Sequence, residues 1–201
     1  MKQGGYCLFD TALGTCAIAW RESDAGGASP AVTFLQLPEA TAAMTESRIA
    51  RSSGARRWSA PPPRIAKLIE RVREHLNGHP QDFREIALDL EGVAPFARQV
   101  YEAACEIPPG QTRTYGEVAK ALGQPGAARA VGQALGRNPI PLIIPCHRVL
   151  AAGGRPGGFS AYGGRATKAR LLELEGTTSA PPATNLKLNF EGPLQGDTAP
   201  Q

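Results

Sequence analysis

Apolar residues run in short clusters near the N-terminus and shift to helical spacing further along, and the change of period sets out the elements. Tyr6-Cys7-Leu8-Phe9-Asp10 and Thr15-Cys16-Ala17-Ile18-Ala19-Trp20 flank Thr11-Ala12-Leu13-Gly14, a pattern that predicts a β-hairpin. Val32 to Leu37 predicts a third strand, and Pro38 to Ala50 the start of a helix. Arg51 to Pro63, rich in Ser, Arg and Pro, predicts a loop. Ile65, Leu68, Ile69, Val72 and Leu76 recur at the 3.6-residue period, so Pro63 to Asn77 is expected as an amphipathic helix. Ile86-Ala87-Leu88-Asp89-Leu90 is expected as one more short strand.

The pattern changes at Pro95. Phe96 to Cys105 predicts a helix stopped by Ile107-Pro108-Pro109-Gly110. Tyr115 to Leu122 predicts a second, with Thr114 as N-cap, and Ala127 to Gly136 a third. Gly123-Gln124-Pro125-Gly126 lies between the last two, which makes a helix-turn-helix the natural arrangement. The stretch from Thr177 onward, with repeated Pro, Gly and Thr, predicts a loosely ordered tail.

Composition narrows the class. The 201 residues suffice for one ordinary domain or two small ones, and the 42% apolar and 6% aromatic fractions suit a globular protein. No stretch approaches the roughly 18 apolar residues of a membrane helix. Asp10 interrupts the run after Lys2 that a signal peptide would need, so an intracellular, cytoplasmic setting is expected, or the nucleus in a eukaryotic source. The net charge is +4; residues 95–176 carry ten Lys or Arg against five Asp or Glu, so the excess of cations lies there. Such a surplus suits phosphate binding and also an ordinary solvated surface. The cysteines are Cys7, Cys16, Cys105 and Cys146, with no CxxC spacing. Cys7 and Cys16 with His75 or His79 do not have zinc-site spacing, so no metal is expected.

Chemistry concentrates in Pro145-Cys146-His147-Arg148-Val149, entered from Ile143-Ile144. A thiolate is the reactive form of cysteine and needs a nearby base or cation to generate it. The wider frame is Arg129-Ala130-Val131-Gly132 followed by Asn138-Pro139-Ile140-Pro141-Leu142-Ile143-Ile144-Pro145-Cys146-His147-Arg148-Val149. It closely resembles the O6-alkylguanine-DNA alkyltransferases, over about Phe96 to Gly176. The resemblance implies an α/β N-terminal scaffold domain (1–92) and a mainly helical C-terminal domain with a helix-turn-helix (93–176), which binds DNA and accepts the alkyl group. It implies a monomer without cofactor that takes an alkyl group from O6 of guanine onto Cys146, once; whether O4 of thymine is also repaired stays open.

The helix after the turn is built of Ala127, Ala128, Ala130, Gly132 and Ala134, with Arg129 as its one large cation. Major-groove readers usually carry several long polar side chains, whereas small residues fit a minor groove roughly 6 Å wide. Alanines are equally what a plainly packed helix uses. The resemblance assigns Arg129 as the finger that fills the gap left by an extruded base and Tyr115 as the residue that turns the target phosphate. Gly116, Gln124, Ala127, Ala128, Gly132 and Ala152 complete the implied DNA contacts. Extrusion is physically required, because O6 of a paired guanine lies within the stack.

For the transfer, His147 is the candidate base for Cys146, through a bridging water if the two neighbours alternate on a strand. An imidazole so used needs a carboxylate partner. The resemblance supplies it from Leu171-Leu172-Glu173-Leu174-Glu175-Gly176, as Glu175, with Glu173 the shifted alternative. It makes Asn138 a hinge that ties two backbone segments and Tyr115 a donor towards N3 of guanine. The carbonyls of Cys146 and Val149 become acceptors for the exocyclic amine. The segment 153–164 departs from the commonest family pattern; Gly158, Ser160 and Tyr162 are its candidate pocket residues, in a lid or a plain turn. A thioether product has no second cysteine nearby in sequence to resolve it. Two other classes stay open: a lesion binder of the same fold that transfers nothing, and an unrelated cysteine hydrolase built on Cys146 and His147.

Overall fold

In the computed structural model, which describes residues 4–22 and 30–177, strands β1 (Gly4–Thr11) and β2 (Gly14–Arg21) form the expected hairpin, with Thr11 opposite Gly14. β3 (Ala31–Gln36) pairs antiparallel with β2, with a register shift between Ala19 and Trp20. α1 (Ala42–Ser53) starts later than its apolar pattern suggests. The hydroxyl of Thr41 accepts the backbone N–H of Met44 and fixes the first turn there. The helix runs on to Gly54, whose left-handed φ of 61° ends it.

Two expectations need correction. The stretch 51–63 is not all loop: α1 continues through Ser53, and Arg56–Arg57 form β4, parallel to β1. The indole of Trp58 then lies so close over Gly5 that a Cβ there would meet it at 2.5 Å. Residues 86–90 do not form a strand. One bridge joins Leu88 to Val32, through Val32 N–H to Ala87 O and Asp89 N–H to Val32 O, and the apolar side chains pack on the core without a ladder. The four-stranded sheet therefore has the order β3-β2-β1-β4.

α2 (Pro63–Leu76) begins with proline at its first turn, where no N–H is needed, and buries Ile65, Leu68, Ile69, Val72, His75 and Leu76. α3 (Pro95–Cys105), α4 (Tyr115–Ala121), α5 (Ala128–Gly136) and α6 (Arg165–Leu174) follow. Thr114 and Glu117 form a reciprocal capping box at the start of α4. β5 (Arg113–Thr114) and β6 (Val149–Leu150) pair in parallel. That ladder sets Tyr115 beside the turn holding Cys146. One apolar cluster runs from Cys7 and Trp20 of the sheet through α2, α3 and α5 to Leu171 of α6. The tail expected after Thr177 lies outside the described residues. No described helix is long and apolar enough to cross a membrane.

Candidate active site

Cys146–Arg148 are a single 3-10 turn, not the strand on which neighbouring side chains would alternate. Successive side chains of such a turn fan out by roughly 120°. The approach is held by Asn138, whose Nδ2 donates to Ile144 O at 2.8 Å while its Oδ1 accepts from Ile140 N at 2.9 Å. The asparagine thus joins two backbone segments as expected. Between them Leu142 is fully buried at a φ of 78°, a conformation that side-chain-bearing residues adopt at a cost of about 1–3 kcal/mol.

Glu175, just past the end of α6, is the hub. Its Oε1 lies 2.8 Å from His147 Nε2, and Arg148 donates to both carboxylate oxygens at 2.7 to 3.1 Å. Arg148 also donates to Ile107 O at 2.5 Å. His75, from α2, brings its Nε2 to 3.0 Å from the same Oε1. Glu173 is exposed and pairs with Arg170 at 3.1 Å, so the carboxylate beside His147 is Glu175. Burial alone would push the Glu175 carboxyl up; contacts with His147, His75 and Arg148 outweigh it and hold the group far below the usual carboxylate range. Burial, opposed by Glu175 and reinforced by Arg148 and His75, pushes the His147 imidazolium down, so the ring is neutral at rest. Its other nitrogen, Nδ1, is buried without a protein partner.

Burial also pushes the Cys146 thiol up, opposed by the Asn138 side chain, the Lys168 ammonium and the backbone N–H groups of Cys146 and His147. Lys168 is fully buried on α6 and donates to Val149 O at 2.6 Å; burial lowers its pKa to about 8 against the pull of Cys146. Tyr115 is wedged among α5, the 153–164 segment and this lysine. Its ring lies 3.8 Å from a Cβ placed on Gly132, and its hydroxyl 2.9 Å from one on Gly157. Lys168 Nζ sits 5.7 Å from the ring centre. Burial and then the Cys146 charge push the phenol up, so it remains a donor. The carbonyls of Cys146 and Val149 each already accept one internal hydrogen bond, from Val149 N–H and Lys168. Each has a second lone pair left for a ligand.

The expected DNA-facing residues lie at the surface or partly exposed. Gln124, Arg129 and Ala152 are exposed, and Gly116, Ala127, Ala128 and Gly132 are half-buried. α5 anchors through Val131, Ala134 and Leu135, with the Tyr101 hydroxyl donating to Ala134 O at 3.0 Å. In the 153–164 segment Gly158, Ser160 and Tyr162 are exposed.

His75, His147 and Glu175 place three ligand atoms within 4.8 Å of one another, the one such cluster among the described residues. Its chemistry opposes a metal. His75 Nδ1 accepts the Gln81 N–H at 3.0 Å, so the proton of a neutral ring sits on Nε2, and Arg148 already holds both carboxylate oxygens. Burial pushes the thiols of Cys7 and Cys16 up to about 11 and about 12, so neither is a ready thiolate ligand.

Three participants were not singled out from the sequence. Lys168 and Glu175 are seven residues apart with Leu171 between, one face of a helix. His75 falls on the α2 stripe three residues after Val72. Those spacings signal burial but name no partner. Arg148 lies within the recognised motif, yet nothing local points it at Glu175.

A helix-turn-helix backed by a buried cysteine with its own imidazole and carboxylate joins a nucleic-acid-binding architecture to a candidate nucleophile. Residues 95–177 match the family model for the 6-O-methylguanine DNA methyltransferase DNA-binding domain. The chain is 44% identical over 120 residues to the methylated-DNA–protein-cysteine methyltransferase of Methanothermobacter thermautotrophicus, covering 60% of this chain and 66% of that protein. It is 45% identical over 118 residues to that of Mycolicibacterium paratuberculosis, covering 59% and 69%. It is similar to the crystal structure of Mycobacterium tuberculosis O6-methylguanine methyltransferase, with a TM-score of 0.65, 35% identity and coverage of 89% and 96%. A crystal structure of the M. tuberculosis protein OGT in complex with DNA gives 0.64, 34%, and coverage of 85% and 92%. The chain belongs to the methylated-DNA–protein-cysteine methyltransferases.

Proposed function

We propose that this protein, as a monomer, repairs DNA by moving an alkyl group from O6 of guanine onto Cys146 in a single turnover. The observation that carries the proposal is the buried Cys146 thiol on the turn whose next residue, His147, is held by Glu175. The similarity to a protein solved with DNA supports DNA as the partner. The small residues Ala127, Ala128 and Gly132, with Gly116, Gln124 and Ala152, suit a minor-groove approach in which exposed Arg129 fills the place of the extruded base. Extrusion costs a few kcal/mol, less for a poorly paired lesion.

In the pocket, Val149 O and Cys146 O accept from the guanine amine, and Gly158, Ser160 and Tyr162 border the alkyl group. The thiol proton passes through a bridging water to Nδ1 of His147. The sulfur–carbon bond forms as the carbon–O6 bond breaks, and the electron pair stays on the purine. Tyr115 donates to N3, where negative charge develops and a fixed donor acts most strongly. The guanine takes a proton at N1 from solvent while His147 Nδ1 gives its proton back to solvent, so the thiol hydrogen is accounted for at N1. Lys168 and the backbone N–H groups stabilise the thiolate during transfer.

The test is the intact mass of the protein after mixing with a slight excess of duplex bearing one O6-methylguanine. One methyl in place of one hydrogen, mapped to Cys146 and stopping at one per chain, is expected. An unchanged mass with tight binding would instead indicate a lesion binder, and repeated turnover a hydrolase.

A further inference from the structure

α2, in the N-terminal half of the chain, inserts a titratable side chain into the reaction centre. His75 is fully buried, its ring 5.4 Å from that of Phe83. Its Nδ1 accepts the Gln81 backbone N–H, which fixes the tautomer with hydrogen on Nε2. That nitrogen lies 3.0 Å from Glu175 Oε1, the oxygen that also faces His147 Nε2 at 2.8 Å. The approach lacks the alignment of a regular hydrogen bond, so the dipole of this N–H acts on the carboxylate more through proximity than through a saturated bond.

We propose that His75 is a positioning residue of the transfer reaction: its N–H beside Glu175 Oε1 limits how strongly this carboxylate draws on His147, and so sets the basicity of His147 Nδ1. The role rests on the alkyl-transfer function proposed above only for its purpose, not for its chemistry. Oε1 is shared among His147, His75 and two N–H groups of Arg148, and an acceptor shared among more donors polarises each of them less. Removing the His75 donor leaves the carboxylate to His147 and Arg148, strengthens its pull on His147, makes Nδ1 a stronger base, and lets the thiol ionise at lower pH.

The charged and titratable groups around this path are few. His147 faces Glu175, Arg148 and His75. Cys146 faces Lys168 on α6, Tyr101 on α3 and Tyr115 on α4. Arg148 faces Cys105 on α3 and Asp82 in the segment after α2. Of these, His147 and Arg148 share Glu175 with His75, so a shift in thiol ionisation on changing His75 reports the Glu175 network.

The experiment follows the rate of iodoacetamide alkylation at Cys146, resolved by peptide mass mapping, against pH in the full chain. This reads thiolate formation without any DNA substrate, so it stands even if the intact-mass test with O6-methylguanine fails. His75→Phe keeps the bulk and loses the donor; His75→Asn keeps an acceptor for Gln81 and loses the reach to Glu175. His75→Gln keeps an amide N–H near the position of Nε2. In the first two the ionisation limb is expected to move down by roughly half a pH unit, and in His75→Gln to stay near wild type. A purely structural histidine would change thermal stability and leave the limb in place. An unmoved limb in whichever donor-deleting variant folds, an upward shift, or an equal shift in His75→Gln overturns the proposal.

Discussion

The two halves of the molecule treat charge in opposite ways. In residues 4–91, ion pairs such as Arg57–Glu46 and Arg48–Glu39 lie near the surface, with their arginines about half exposed, and the interior of the sheet is filled by Cys16, Ile18, Trp20 and Leu35. In residues 95–177, His147, Arg148, Lys168 and Glu175 are all buried. Exposed pairs contribute about 0–1 kcal/mol, because solvent already satisfies the separated charges. Buried charges carry a desolvation cost that their partners only partly repay, and such shifted groups concentrate where reactivity is needed. Apart from the buried His75, which reaches Glu175, the first half is built for shape, and the second gives up stability to hold a thiol, an imidazole and a cation in one place.

That contrast can be broken most severely at the thiol. Cys146→Ala is expected to abolish transfer from an O6-methylguanine duplex, with no mass gain at any time, while binding to that duplex stays within a few-fold of wild type. Transfer that persisted would move the acceptor to another residue. Glu175→Gln should slow single-turnover transfer on the order of 100-fold and lower the melting temperature, because it removes the partner of His147 and uncovers the buried Arg148 charge. The corresponding Glu173→Gln change should do neither.

Glu175 also makes a pH signature. Its carboxyl is depressed in the folded state, so its stabilisation is complete above the unfolded value of about 4.3 and is lost as pH falls below it. Melting curves from pH 7 to 3 should therefore fall less steeply in Glu175→Gln than in wild type, and equal slopes would show that the network contributes nothing. Lys168→Met removes a cation that favours the Cys146 thiolate, so the alkylation limb should move to higher pH, opposite to the shift expected for His75→Phe.

Arg129→Ala should weaken repair of duplex DNA roughly tenfold and leave reaction with free O6-benzylguanine near wild type, since only the duplex has a gap to fill. Equal losses on both substrates would remove the finger role. Arg57→Ala marks the lower end of the scale. Loss of its exposed pair with Glu46 should change unfolding free energy by less than about 0.5 kcal/mol and leave transfer intact, as read by denaturant melts. A larger loss would show that β4 does more for the sheet than its two residues suggest.

Elements with a strong local period were legible in the sequence. The hairpin, β3, α2, α3, α4 and α5 follow from short apolar runs, 3.6-residue spacing and caps such as Thr114, whereas α6 was not predicted. The errors fall where a partner decides. β4 exists because Arg56–Arg57 meet the open edge of β1, and residues 86–90 stop at one bridge with Val32 although their apolar alternation suits a strand. Neither outcome is encoded in a window of a few residues.

The site divides in the same way. Cys146, His147 and Asn138 sit in one contiguous motif, and Glu175 in a second that the family resemblance located, so their identities were available from the chain alone. The sequence by itself located Cys146, its neighbouring imidazole and the small-residue helix, because each is carried by residues close together in the chain. Only the tertiary structure decided that the Cys146 segment is a 3-10 turn, that Lys168 lies near the thiol, and that Arg148 and His75 converge on Glu175 across separations of 27 and 100 residues. Charge–charge and hydrogen-bond energies depend on distances of a few ångströms through a low-dielectric interior, and spacing along the chain does not fix those distances until the core has closed.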